Sequence, residues 1–286
     1  MVQEALAIFA AQDAFPEDYE IVIVDYHPDS DCSESVEEFN RTHAPLALNY
    51  FKIQNGSRAR AINAGVKQAN APLVVILADD FMPNSQFVTA HLQFHQENSD
   101  EEIVGIGPAL FPDHLLNCDF RKWLEDSGTL FGVSFTTNKQ SIPENFFYIP
   151  NTSLKKSFFL KAGGLDEDFP YAAWDDYELG LRLKALGMRC QLVAQGFARH
   201  EHPVTLSERS AAMAEAAASA VIFEGKYSGR QPWHTLCDQP PWKLRAKGQY
   251  WRVKHFFTHN KTDRENFYRK MMDASFVAAY YTANER

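Results

Sequence analysis

Several features that would place a sequence in a class at sight are missing from these 286 residues. No run of about 18 apolar residues occurs, so no segment reads as a membrane-spanning helix. Residues Met1 to Gln12 contain Glu4 and no basic cluster, and do not read as a secretory signal. The four cysteines (Cys32, Cys118, Cys190 and Cys237) lie far apart in no metal-binding spacing and read as reduced thiols in a reducing compartment. Neither G-x-G-x-x-G nor a P-loop is present, which speaks against a Rossmann dehydrogenase or an NTPase. H-E-x-x-H is absent as well, which speaks against a dedicated zinc site. There is no low-complexity tract and no internal repeat. A basic surplus is also lacking. The net charge of -9 argues against a nucleic-acid binder, which needs a basic surface to displace counterions. A nucleoside diphosphate remains admissible if a divalent cation stands between its phosphates and an acidic protein.

What is present alternates between strand and helix patterns. Glu20–Asp25 is a β-branched run ending on a carboxylate, as a buried parallel strand would. A helix from about Cys32 to Thr42, a strand from Leu46 to Ile53 and a helix from Ala59 to Ala69 follow. Pro72–Leu77 is the clearest strand and runs straight into Ala78-Asp79-Asp80. Residues 84–97 predict a helix capped by Asn84 or Ser85, and Ile103–Phe111 a further strand. Phe146–Ser153 suits a strand, 154–162 a helix stopped by Gly163-Gly164, Tyr177–Leu186 a helix closed by Gly187, and Cys190–Ala194 a strand. From Ser207 onward the pattern is helical, broken by Pro232-Trp233 and Pro240-Pro241-Trp242. This order predicts an α/β sandwich with a mostly parallel central sheet and a C-terminal helical extension. Ligands of such sheets bind at the carboxyl ends of the strands, which puts Asp25 and Asp79-Asp80 on one rim.

Four constellations could carry chemistry. Asp79-Asp80, after a strand, could hold a divalent metal through carboxylate oxygens or could be a solvated turn. Asp175-Asp176 at a helix start could supply a general base or merely answer the helix dipole. His200 and His202 alternate along an extended segment, so both rings could face one metal, or both could be surface polar residues. Arg58 and Arg60, beside Gly56-Ser57, could clasp a phosphate or a carboxylate, or simply solvate a helix start. Glu178 and Arg182 are spaced for an i,i+4 helical ion pair and read as structural.

Taken together, the segments from about Gln3 to Gly229 resemble the family 2 glycosyltransferases of the GT-A fold. Val24-Asp-Tyr-His-Pro-Asp-Ser30 is similar to the V-D-D-G-S turn, and Ala61-Ile-Asn-Ala-Gly65 with Ile76-Leu-Ala-Asp-Asp80 to the A-x-N-x-G helix and the D-x-D region. Asn151–Lys156 with Gly163–Phe169 resembles the stretch before the acceptor site. Trp174–Leu183 resembles the E-D-x-E-L-G-x-R-L helix, the most specific of these motifs, and His200-Glu-His202 falls where the family often places a histidine near the metal.

The resemblance implies an inverting transfer of a sugar from a nucleotide-sugar donor (UDP-, GDP- or dTDP-sugar) to a hydroxyl of a glycan, glycolipid or related acceptor, as in polysaccharide biosynthesis. It implies Asp176 as base with Asp175 as alternative, Asp25, Arg58, Arg60 and Asp79 around the nucleotide-sugar, and Asp80, His200 and His202 on a divalent metal, Mn2+ or Mg2+. Residues 1–205 would form the GT-A-like domain and 206–286 the helical extension.

The chain departs from the family pattern in three places: it starts inside the helix after the usual first strand, Tyr26 replaces the second acid of V-D-D-G-S, and Ala78 replaces the first acid of D-x-D. The first departure reads as a truncated or late-started reading frame. The alternative function is a non-catalytic glycosyltransferase-like binding or scaffold protein, and a metal-dependent hydrolase is a third reading. A cytoplasmic location, peripheral at the inner face of the membrane, is expected. The aromatic and basic stretch Trp242–Phe257 would touch the membrane surface, a partner, or the domain itself.

Overall fold

β-branched runs followed by small-residue amphipathic stretches fold into alternating strands and helices. The structure is a computed structural model and describes residues 2–54, 56–132, 141–143, 147–229 and 231–284. α1 (Val2–Ala10) leads into β1 (Glu20–Asp25), α2 (Ser33–Thr42), β2 (Ala47–Lys52), α3 (Arg58–Gln68) and β3 (Leu73–Ile76). β4 (Phe81–Pro83), α4 (Phe87–Glu97), β5 (Ile103–Ile106), β6 (Ala109–Leu110) and α5 (Asp119–Asp126) come next. Then follow β7 (Thr152–Lys155), α6 (Lys156–Lys161), α7 (Asp175–Ala185), β8 (Arg189–Leu192) and β9 (Ala198–His200). The remainder is helical: α8 (Leu206–Lys226), α9 (His234–Cys237), α10 (Pro241–Thr258) and α11 (Lys261–Asn284). The chain divides into two compact units, one of residues 1–116, 124–167 and 175–202, the other of residues 117–123, 168–174 and 203–286.

In the first unit β1 and β2 form a parallel pair. A four-stranded sheet runs β3-β7-β5-β8, with β5 and β8 parallel and β7 antiparallel to both its neighbours. A three-stranded sheet runs β4-β9-β6, antiparallel between β4 and β9 and parallel between β9 and β6. Among the described residues no strand precedes β1, β1 pairs only with β2, and β3 only with β7. The main core lies between the four-stranded sheet and α3, α6 and α7, around Val104, Ile106, Leu154, Phe158, Leu179 and Leu183. A second cluster (Leu6, Val36, Phe39, Leu46, Leu48) joins α1 and α2 to the β1–β2 pair. Gly65 lets α3 sit close on β1, since a Cβ there would lie 3.2 Å from a Val24 methyl. That approach fixes the helix whose first residue is Arg58.

Several element boundaries move from where the sequence puts them. α4 begins at Phe87, not at an Asn84 or Ser85 cap; the Asn84 side chain is turned away from the helix start, its amide donating to the Gln195 carbonyl at 3.0 Å. The strand expected over Ile103–Phe111 divides into β5 and β6 at Gly107-Pro108, where proline has no N–H for the ladder. The strand expected over Phe146–Ser153 is β7 at Thr152–Lys155; Phe146 lies outside the described residues. Asn151, held at φ +62, turns the chain just before it. β4 escaped the sequence pattern because three residues are too few to show a period.

In the second unit α11 packs against both α8 and α10. α8 opens with a reciprocal capping box between Thr205 and Glu208, which satisfies two otherwise orphaned backbone N–H groups. Its core holds Phe223, Leu244, Phe276 and Val277, and the Trp174 indole N–H donates to the Ala216 carbonyl at 2.8 Å.

Candidate active site

Register between short strands brings the first pair of predicted residues together. β4 and β9 run antiparallel with Phe81 opposite His200, so the residue before β4, Asp80, meets the histidine. His200 Nε2 lies 3.2 Å from Asp80 Oδ2, and the Glu201 N–H donates to the Asp80 carbonyl at 2.8 Å. Partial burial raises the Asp80 pKa, but the hydrogen bond and charge of His200 outweigh it and hold the carboxyl below its ordinary value. The rings of Phe81, Phe131 and Phe111 surround the imidazole at 5.0, 5.3 and 5.6 Å, a cage that the sequence did not reveal. His202 is exposed with its ring 5.9 Å from that of His200, and Asp79 is exposed too.

Asp25, at the carboxyl end of β1, organises the turn that follows. Its Oδ1 accepts from the Ser30 hydroxyl and, at 3.1 Å, from the His27 N–H, while Oδ2 accepts from the Tyr50 hydroxyl at 3.0 Å. Desolvation pushes its pKa up, and these hydrogen bonds pull it further down, so the net shift is downward. Nearby, burial and the negative charges of Asp25, Asp31 and Asp79 all raise the Cys32 thiol.

The Asp175-Asp176 pair is the most tightly held. One guanidinium nitrogen of Arg58, Nη2, donates to Asp175 Oδ2 and to Asp176 Oδ1, both at 2.6 Å. Arg58 is the first residue of α3, held by Ser57 as N-cap, and the two aspartates form the first turn of α7. Asp175 is 2% exposed, and its Oδ1 has no hydrogen-bond partner; Asp176 retains 22% exposure. Burial, then the charge of Asp176, pushes the Asp175 carboxyl up to about 6, against the opposing pull of Arg58. Burial disfavours the Arg58 charge, yet the two carboxylates more than compensate and raise its pKa above the ordinary. The residue preceding the pair, Trp174, sits at φ +67, a strained conformation for a bulky side chain. Arg58 thus clasps carboxylates of this protein, and Arg60 pairs with Glu167 at 3.2 Å. The Glu178–Arg182 pair forms at 2.6 Å with Glu178 buried. Sequence reading missed the Arg58 clamp because the partners are 117 and 118 positions apart.

Among the described residues no group of three histidine, cysteine or acidic side chains could hold a metal ion unaided. Asp80 Oδ2 and His200 Nε2 nevertheless lie side by side, 3.2 Å apart. A carboxylate oxygen beside an imidazole nitrogen is a donor set that would suit a divalent ion such as Mn2+ or Mg2+.

Residues 1–147 match the family model of glycosyl transferase family 2. The chain belongs to that family. Over 211 residues this family 2 chain is 28% identical to the validoxylamine A glucosyltransferase of Streptomyces hygroscopicus subsp. limoneus, covering 66% of the chain and 46% of that enzyme. It is 23% identical over 215 residues to the chondroitin synthase of Escherichia coli, covering 65% of the chain and 31% of the synthase. The chain therefore spans less than half the length of these two relatives. Its fold matches the mannosyltransferase PcManGT from Pyrobaculum calidifontis, solved in complex with GDP-Man and Mn2+, at a TM-score of 0.65 and 18% identity, over 99% of this chain and 83% of that one. A further fold match is S. aureus TarS, at a TM-score of 0.51 and 12% identity, over 98% of this chain and 52% of that one.

Proposed function

We propose that this family 2 chain is an inverting glycosyltransferase that moves a sugar from a nucleotide-sugar to an acceptor hydroxyl, assisted by a divalent metal. The observation that carries the reading is the clasp of Arg58 on the Asp175-Asp176 pair, close under the first turn of α7. Exposure favours Asp176 over Asp175 as the base, since a buried carboxylate cannot reach an acceptor. Asp176 takes the acceptor proton as the hydroxyl oxygen attacks the anomeric carbon from the face opposite the leaving group. The bond from that carbon to the phosphate oxygen breaks, and the nucleoside diphosphate departs. Arg58 holds both carboxylates in place by donating to each. Asp80 and His200, with His202 beside them, would hold Mn2+ or Mg2+. That ion, when bound, offsets the charge on the departing diphosphate. Asp25, Asp79 and Arg60 line the nucleotide-sugar side.

The donor is a UDP-, GDP- or dTDP-sugar, in keeping with a neighbour solved with GDP-Man and relatives named as a glucosyltransferase and a polysaccharide synthase. The acceptor is a glycan, glycolipid or related molecule. Residues 1–205 carry the transfer and 206–286 form a separate helical extension, peripheral at the inner face of the membrane. A second reading, binding without turnover, draws on one observation: Asp25 and Asp176 are already engaged by internal hydrogen bonds.

Calorimetry with UDP, GDP and dTDP, each with and without Mn2+, tests the donor site. Metal-dependent binding of one nucleotide, weakened about tenfold or more by Asp80→Asn or His200→Ala, is expected. Asp176→Asn separates the two readings. The enzyme loses transfer by about a hundredfold or more while keeping nucleotide affinity; a protein with no transfer to lose, across a panel of sugar donors, is the binding module.

A further inference from the structure

We propose that α10 is an in-plane membrane-docking helix whose aromatic stripe enters the headgroup region of an anionic bilayer. This deepens the peripheral placement proposed above, but it rests on α10 alone and not on the transfer reaction. The buried side of α10 is narrow: Leu244 and Gly248 are buried, Trp251 and His255 half-buried, at intervals of four, three and four, where the helix meets α11. The opposite side carries Trp242, Val253 and Phe257, with Tyr250 and Phe256 at its margins. These side chains are 70%, 57%, 76%, 60% and 71% exposed in that order. One helix showing this much aromatic surface to solvent is far beyond the scattered apolar residues of an ordinary exterior.

Charge identifies what covers it. The 18 residues of α10 include no acid, in a chain whose net charge is -9. Lys243 and Lys247, four apart, run along one border of the stripe, which Lys254 continues with its ammonium paired to Asp263 at 3.1 Å, and Arg245 and Arg252, seven apart, run along the other. Two basic borders flanking an aromatic face are the arrangement of a helix lying in an anionic interface, with rings at headgroup depth and cations on the phosphates. The stripe is the outer face of a helix and not a groove, so its partner must yield to protruding rings, as a headgroup layer does. Self-pairing through the same face would set the basic borders of two copies against each other. No helix among the described residues is long and apolar enough to cross a membrane, so the contact this helix makes is superficial.

The full chain is sedimented with vesicles of neutral phosphatidylcholine and with vesicles containing about 30 mol% phosphatidylglycerol. We expect about tenfold or stronger preference for the anionic vesicles, falling steeply as salt rises from about 0.1 M to about 0.5 M. Trp242→Ala with Phe256→Ala and Phe257→Ala should weaken partition about tenfold or more, and so should Lys243→Gln with Arg252→Gln. All five side chains are exposed, so circular dichroism should be unchanged. Partition that ignores lipid charge, or that survives both variants, overturns the proposal. So does absence of vesicle binding, whether the chain stays monomeric or self-associates through this face, a state that the aromatic variant would dissolve in sedimentation equilibrium. Calorimetry with nucleotide on the same variants keeps the donor-site reading separate: it should be unaffected.

Discussion

Removing the Arg58 side chain tests the geometry at its most buried point. Arg58→Ala takes the cation from two carboxylates bound at 2.6 Å each, one of them only 2% exposed. Breaking a buried pair from one side generally costs about 3–5 kcal/mol, because the abandoned charge stays desolvated. Arg58 and Asp176 each keep 22% exposure, so the low end, about 3 kcal/mol, applies here. That is a large share of the roughly 5–15 kcal/mol that holds a domain folded.

The loss must depend on pH, and its sign follows from Asp175. Its folded pKa, about 6, already lies above the unfolded value of 3.8. A carboxyl raised on folding gives stability that is fully present below the unfolded pKa and lost as pH rises through the folded one. Arg58 is what pulls that pKa down, so deleting it widens the window upward. Near pH 5 Asp175 in the variant is protonated and needs no counter-ion, and the penalty shrinks to about 1 kcal/mol for the lost hydrogen bonds. Near pH 8 the variant must bury Asp175 either charged without its cation or protonated against the solution pH, and the full loss applies. Urea unfolding of wild type and Arg58→Ala at both pH values reads this directly. In the Arg58→Ala background, Asp175→Asn should recover about 1–2 kcal/mol at pH 8. Equal losses at the two pH values, or no recovery, would refute a buried carboxylate held by Arg58.

Two further outcomes follow from the polar core of the first unit. His91 Nδ1 lies 2.8 Å from the Ser153 hydroxyl and Nε2 3.0 Å from the Asn151 side-chain oxygen, while His95 Nε2 lies 3.0 Å from the same hydroxyl. Burial pushes both imidazoles down to about 4 from 6.5. With folded pKa values depressed, their stability is present above about 6.5 and lost as pH falls towards 4, so the melting temperature should drop across that window. His95→Gln should flatten that slope, and an unchanged acid limb would contradict it. Gly107 is the second case: a Cβ there would lie 2.0 Å from the Gly196 carbonyl oxygen and 2.3 Å from the Asn151 amide. Gly107→Ala should cost about 4 kcal/mol or more by chemical denaturation, since backbone cannot yield as a side-chain tip can. A cost under about 1 kcal/mol would show that the turn relaxes.

The longer elements were legible in the residues themselves, while the two- and three-residue strands β4, β6 and β9 were not. Glu20–Asp25 and Leu73–Ile76 announce strands by β-branching, and α3 and α7 are marked by period, cap and helix-start acids. Those signals are local, because a strand's alternation and a helix's first turn are written in adjacent positions. What the sequence could not carry was partnership across distance. His200 meets Asp80 because a three-residue strand, β9, adopts one register against β4, and a one-residue slip would turn the ring to the other face. Arg58, read as a ligand clasp, proves to bind the two aspartates 117 and 118 positions away, where α3 approaches the first turn of α7. Burial, too, belongs to the fold. Adjacent and chemically identical, Asp175 and Asp176 read alike in sequence, and only packing buries one and leaves the other within reach of solvent.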